Sequence, residues 1–152
     1  MTATNHALTG ALLGLIIGQP LIALPVALLS HFVCDAIPHY GNDAVKLWSN
    51  NFKNMLVVDA SLCVLLVAVL AYHQPTHWLL ASFCAFLATS PDLLWIRKFV
   101  YGLRNHRSQK QTKFERLLGS DGIQWFQRPI GAVVEVAWAI GMLMLISPLI
   151  GN

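Results

Sequence analysis

The sequence predicts an all-α polytopic membrane helix bundle, an N-terminal helical hairpin followed by three further transmembrane helices, with 1–152 forming a single membrane domain. Three observations point there. Hydrophobic residues make up 56% of the chain and charged residues only 11%, whereas soluble domains carry about 25% charged residues. Apolar residues gather near 7–38, 55–72, 78–96 and 129–150, and a crossing needs about 20 of them. None of these stretches contains Lys or Arg. An ordinary soluble domain and a disordered tail are both excluded, because neither covers its surface with so few charges.

The stretch 7–37 is too long for one crossing and is interrupted at Gly18-Gln19-Pro20, where glycine ends one helix and proline begins the next. Each arm of the resulting hairpin spans about 22–27 Å, short of a hydrocarbon core of about 30 Å. The hairpin is therefore expected to tilt or to cross only in part. Helix three is expected over 52–72 and helix four over 76–101, separated by a turn at Gln74-Pro75. Helix five is expected from Pro129, a favourable first-turn residue, to 149. The opening residues lack the basic segment of a secretory signal, so the first apolar stretch is expected to be retained. Cys34, Cys63 and Cys84 all lie in apolar stretches without metal-finger spacing and read as packing residues.

The formal charge is +3, but its distribution matters more than its sum. Lys46 and Lys53 lie between the first two apolar regions, and the other eight basic residues fall within 97–128. The expected helix order puts all of them on one side, which the positive-inside rule makes cytoplasmic. The N-terminus is then cytoplasmic, and the turns at Gln19-Pro20 and Gln74-Pro75 face out. The segment 102–128 reads either as a solvated basic loop or as an interfacial amphipathic segment that meets anionic lipid headgroups. No recognition motif accompanies the charge, so no nucleic acid partner is expected.

Four acidic residues, Asp35, Asp59, Asp92 and Glu135, lie within or at the ends of the apolar helices. Ionisable groups at such depths are costly and mark function by default. Counted from the cytoplasmic ends, Asp59 and Glu135 lie about 10 Å in, Asp92 about 8 Å and His31 about 12 Å. His6 starts the first arm, and all five helices thus bring polar groups to one layer. His31, Asp35 and His39 follow at i, i+4 and i+8 and are expected to share a helix face. A His-x-x-x-Asp pair on a helix suits a divalent metal, zinc first and manganese or iron otherwise. His6 continues into Gly10, Gly14 and Gly18 at four-residue steps, so it is expected to face another helix, most simply the second arm of the hairpin. Asp59 and Glu135 either handle protons or hydrogen-bond a helix neighbour or a ligand histidine. His73, His77 and His106 are expected to be interfacial or surface groups.

Met1-Thr2-Ala3 with His6, the run from Leu29-Ser30-His31 through Asp35 to Pro38 and Gly41, and Pro91-Asp92 together resemble the YdjM-like family of predicted inner-membrane metal-dependent hydrolases. Leu94 and Trp95 stand where that family's pattern continues with Asp and His, and Asn105-His106-Arg107 matches its other histidine motif only in part. The resemblance implies a multi-helix fold in a bacterial inner membrane, a metal site and hydrolysis, distantly like zinc phospholipases C. The expectation that follows is a metal-dependent hydrolase of a lipid-derived or phosphoester substrate. His6, His31, Asp35 and Asp92 would hold the metal, His39 would be a further ligand or a proton-transfer residue, and Asp59 and Glu135 would assist the reaction. The competing expectation is a non-enzymatic membrane protein whose polar cluster is structural or binds a metal.

Overall fold

The computed structural model describes residues 1–39, 50–104 and 131–151. Among them are five helices and no strand: α1 (Ala3–Ile17), α2 (Pro20–Asp35), α3 (Asn50–His73), α4 (Trp78–Arg104) and α5 (Gly131–Ile150).

The hairpin forms where the local chemistry demands it. Gly18 closes α1 in the left-handed conformation, at φ 65°, with its N–H donated to the Gly14 carbonyl. That conformation is open to glycine without a steric penalty. Pro20 then opens α2, at a position whose N–H has no helical acceptor in any case. At the far end α2 stops at Asp35, because Pro38 disfavours helical geometry at Ile37. His39 therefore lies beyond the helix, and the shared face expected for His31, Asp35 and His39 is limited to the first two. The turn between α3 and α4 carries Gln74 and His77 at φ 48° and 67°, a left-handed pair of non-glycine residues that a buried Pro75 sits between.

Helix α1 is the centre of the bundle. Ten of its fifteen residues are buried, and it packs on α4 most extensively, then on α2, α5 and α3. His6 meets the second arm of the hairpin as expected, beside Asp35 and stacked on His31, and the glycine stripe that follows it explains the closeness of α4. A Cβ at Gly10 would collide with the Cys84 carbonyl and Ala88, and one at Gly14 with Ala81, so the stripe lies against α4 rather than the second arm of the hairpin. Small residues on both sides, Gly10 and Gly14 facing Ala81, Cys84 and Ala88, let two backbones approach closely. Leu8, Leu12 and Leu15 of α1 fill the remaining space with Leu66 and Leu70 of α3 and Ile146 of α5.

Among the described residues, two helices are long and apolar enough to cross a membrane, α3 over Lys53–His73 and α5 over Gly131–Ile150. The sequence-based expectation of three such helices after the hairpin is corrected at α4, which among the described residues counts only as a shorter apolar helix, Trp78–Leu93. In sequence Leu94, Trp95 and Ile96 follow before Arg97, Lys98 and Arg104, so the last two turns of this helix carry basic residues. Both hairpin arms fall in the same shorter class. Residues 102–104, expected to begin a loop, are the last turn of α4. The rest of the basic segment to 128, with His106, lies outside the described residues.

Candidate metal centre

One end of the bundle gathers the polar groups. His6 comes from the first turns of α1, His31 and Asp35 from successive turns of α2, and Asp92 from the part of α4 that follows Pro91. His6 Nε2 lies 3.1 Å from Asp35 Oδ1, and His31 Nε2 lies 3.2 Å from Asp35 Oδ2. Asp92 faces the same two nitrogens from the other helix, with Oδ2 4.0 Å from His6 and Oδ1 4.0 Å from His31. The two imidazole rings stack at a centroid separation of 4.1 Å. Each carboxylate therefore addresses both imidazoles.

His6, His31 and Asp35 offer donor atoms within 4.8 Å of one another, and the three could hold a metal ion. Donors about 2.0–2.1 Å from a tetrahedral ion stand about 3.3 Å apart, close to the spacing of both imidazoles from Asp35. The protonation pattern fits as well. His31 Nδ1 lies 2.9 Å from the Ala88 carbonyl, which only accepts, so Nδ1 carries the proton and donates. In the neutral ring Nε2 is then a lone pair aimed at carboxylate oxygens, an arrangement that needs a proton or a cation between them. His6 is 0% exposed, and neither of its ring nitrogens has a well-aligned hydrogen-bond partner. A buried polar atom left in that state costs about 1–3 kcal/mol, and a metal bond removes the cost. The side chains of His6 and His31 are 0% and 4% exposed, whereas that of Asp92 is 34% exposed. The group is thus closed on the α1–α2 side and open at Asp92.

The neighbouring polar residues hold α1 in place. The Met1 backbone nitrogen is 2.7 Å from Asp35 Oδ1. Asp59 of α3 accepts the N–H groups of Ala3 and Thr4, each at 2.8 Å, together with the Thr4 hydroxyl. Thr2, at the N-cap position of α1, makes no side-chain cap. Asp59 therefore caps α1 from a different helix, placing a carboxylate at the positive end of the helix dipole. It fills the helix-neighbour role of the two that the sequence leaves open, and stands outside the His6–His31–Asp35 group. Asn5 Nδ2 donates to the Glu135 carbonyl at 3.2 Å, and Trp138 Nε1 donates to Thr9 Oγ1 at 2.9 Å. These two bonds join α5 to α1, and the Glu135 side chain is buried beside them. His39 is buried too, its Nδ1 donating to the Ile37 carbonyl at 2.9 Å and its Nε2 without a partner among the described residues.

Asn5, Thr9, Trp138 and the Ala88 carbonyl were not singled out from the sequence. Asn5 and Thr9 had a usable signal, two polar residues one turn apart within an apolar helix; a backbone carbonyl has none. At the opposite end His77 packs over Gly18, which brings the two turns together and leaves His73 and His77 apart from the polar cluster. Comparison of the chain with family models, curated proteins and solved structures finds no match.

Proposed function

We propose that this chain is an integral protein of a bacterial inner membrane, with its N-terminus cytoplasmic, that binds a divalent metal and hydrolyses a lipid-derived or phosphoester substrate at the cytoplasmic face. The observation that carries the reading is the convergence of two buried imidazole nitrogens on the Asp35 and Asp92 carboxylates. Two imidazoles and two carboxylates suit zinc first, with manganese or iron as alternatives. A divalent cation there would supply Lewis acidity, giving a hydroxide nucleophile at neutral pH and drawing charge from a phosphoryl or acyl oxygen.

The chain's own residues would do the rest. His6, His31 and Asp35 form the closed side of the centre, and Asp92, partly open, marks the side from which a substrate approaches. His39 and Glu135, buried nearby in the chain's polar end, are the groups proposed to take up and return protons. The resemblance to YdjM-like hydrolases supports the reaction class, and the basic residues of 97–128 would attract anionic headgroups. Membrane insertion is supported by α3 and α5, of which only 11% is buried inside the bundle.

The second reading, a non-enzymatic structural cluster, is favoured by Asp59, whose carboxylate is consumed in capping α1. Turnover separates the two. Purified protein loaded with zinc, offered a panel of phosphoester and acyl-ester lipids, is expected to release product in a chelator-sensitive manner. Asp92→Asn is expected to stay folded and lose at least about 100-fold in turnover, since losing a carboxylate that holds the metal should cost no less than losing an outer-shell partner. A folded, zinc-loaded protein inert toward the whole panel would favour the structural reading.

A further inference from the structure

The centre contains two histidines in unlike settings. His6 has no well-aligned hydrogen-bond partner at either nitrogen, whereas His31 has one at Nδ1, contributed by the backbone of a different helix. That backbone partner sits in an unusual turn. Pro91 lies inside α4, where it has no N–H to give the Leu87 carbonyl and its ring crowds that carbonyl. The Ser90 hydroxyl donates to Leu87 O at 2.8 Å and replaces the missing bond. The next carbonyl, Ala88 O, takes the proton of His31 Nδ1 at 2.9 Å. Ala88 itself is fully buried and pressed against Gly10 of α1, so the residue that offers the carbonyl is held between helices.

We infer that the Pro91 turn of α4 is a positioning element: through the Ala88 carbonyl it sets His31 as the Nδ1–H tautomer and aims the Nε2 lone pair at Asp35 and Asp92. Its functional meaning rests on the metal-binding reading above. A ligand histidine whose other nitrogen is held by a carbonyl has its ring orientation and basicity fixed before the ion arrives. Proline in the interior of a helix costs about 3 kcal/mol or more, and here it stands three residues after the carbonyl that meets His31, whose second lone pair can accept from outside the helix. His6 lacks this device. It would be oriented by the ion and by Asp35 alone.

The test uses the full chain in detergent, labelled with ¹⁵N in histidine, with His31→Gln serving to assign the His31 signals. At about pH 9–10, where neutral imidazole dominates for an ordinary histidine, the metal-free protein is expected to show His31 with a protonated Nδ1 and an unprotonated Nε2. Pro91→Ala is expected to mix the two tautomers and to weaken zinc binding, measured with zinc alone, by about 10–100-fold. Ser90→Ala, a milder change that keeps the proline, is expected to move both readings in the same direction by less. A wild-type His31 with the proton on Nε2 overturns the inference whether or not zinc binds. So does a folded Pro91→Ala with unchanged tautomer and unchanged zinc affinity. A protein that shows the Nδ1–H tautomer yet binds no zinc supports the positioning geometry and removes the metal-binding reading instead, so the two failures are distinguishable.

Discussion

Helices α1 and α5 are near opposites. The first has 15 residues, is buried around most of its circumference, and carries Asn5, His6 and Thr9 into the bundle. The second has 20 residues, is long and apolar enough to cross a membrane, and is only 11% buried. Hydropathy alone ranks α5 as the better membrane helix and α1 as the doubtful one. The packing reverses their importance. A helix surrounded by protein on all sides needs small residues for close approach and can keep polar side chains, because neighbouring helices satisfy them. A helix facing lipid needs neither. The residues that could hold a metal, His6, His31 and Asp35, therefore sit on the helices that look least like membrane crossings.

The two helices each contain a glycine that puts this comparison at risk. Gly10→Leu drives a side chain into α4 at the Cys84 carbonyl and Ala88, and is expected to destabilise the protein by about 3 kcal/mol or more. Gly141→Leu meets nothing within 4 Å and is expected to change stability by less than about 0.5 kcal/mol. Denaturation in detergent measures both, and equal losses would mean that α1 is no more enclosed than α5.

A smaller effect is expected at the start of α1. Asp59→Ala removes the cap on Ala3 and Thr4, at a cost of about 2 kcal/mol. Ser61→Ala, on the same helix and exposed, removes only a hydroxyl bond to the Val57 carbonyl and is expected to cost less than about 0.5 kcal/mol. If Asp59→Ala were as mild as Ser61→Ala while abolishing turnover, the carboxylate would be a reacting group and not a cap.

The smallest effect concerns the bond that ties the two compared helices together. Thr9→Val deletes the acceptor for Trp138 Nε1 and is expected to cost about 0.6–1.7 kcal/mol, the range for polar contacts between membrane helices. Indole fluorescence should shift, since the N–H loses its partner. An unchanged spectrum would place Trp138 outside this contact.

Much of this arrangement was legible because single residues carry local rules. Gly18-Gln19-Pro20 specified the hairpin through a left-handed C-terminus and a proline first turn. His31 and Asp35 were paired by helical spacing, and counting depths from the helix ends brought His6, Asp59, Asp92 and Glu135 to the same end. What failed to show were properties set by three dimensions. The spacing of Gly10, Gly14 and Gly18 names a face of α1 but not the helix that meets it, which turned out to be α4. Extrapolating the His31 face to His39 ignored that Pro38 ends the helix. A carboxylate at the right depth reads alike whether it faces a histidine, as Asp92 does, or two backbone N–H groups, as Asp59 does.

The most direct test of the account is a zinc titration of the purified, folded protein beside its Asp35→Asn and His31→Ala variants, read by bound metal per chain. The wild type is expected to bind about one equivalent, with nitrogen and oxygen donors alone in its X-ray absorption spectrum, as a His/Asp site requires. Both variants are expected to remain helical and to lose the ion. Folded wild-type protein that takes up no zinc, manganese or iron, or variants that bind as well as the wild type, would contradict the assignment of His6, His31 and Asp35 as a metal centre.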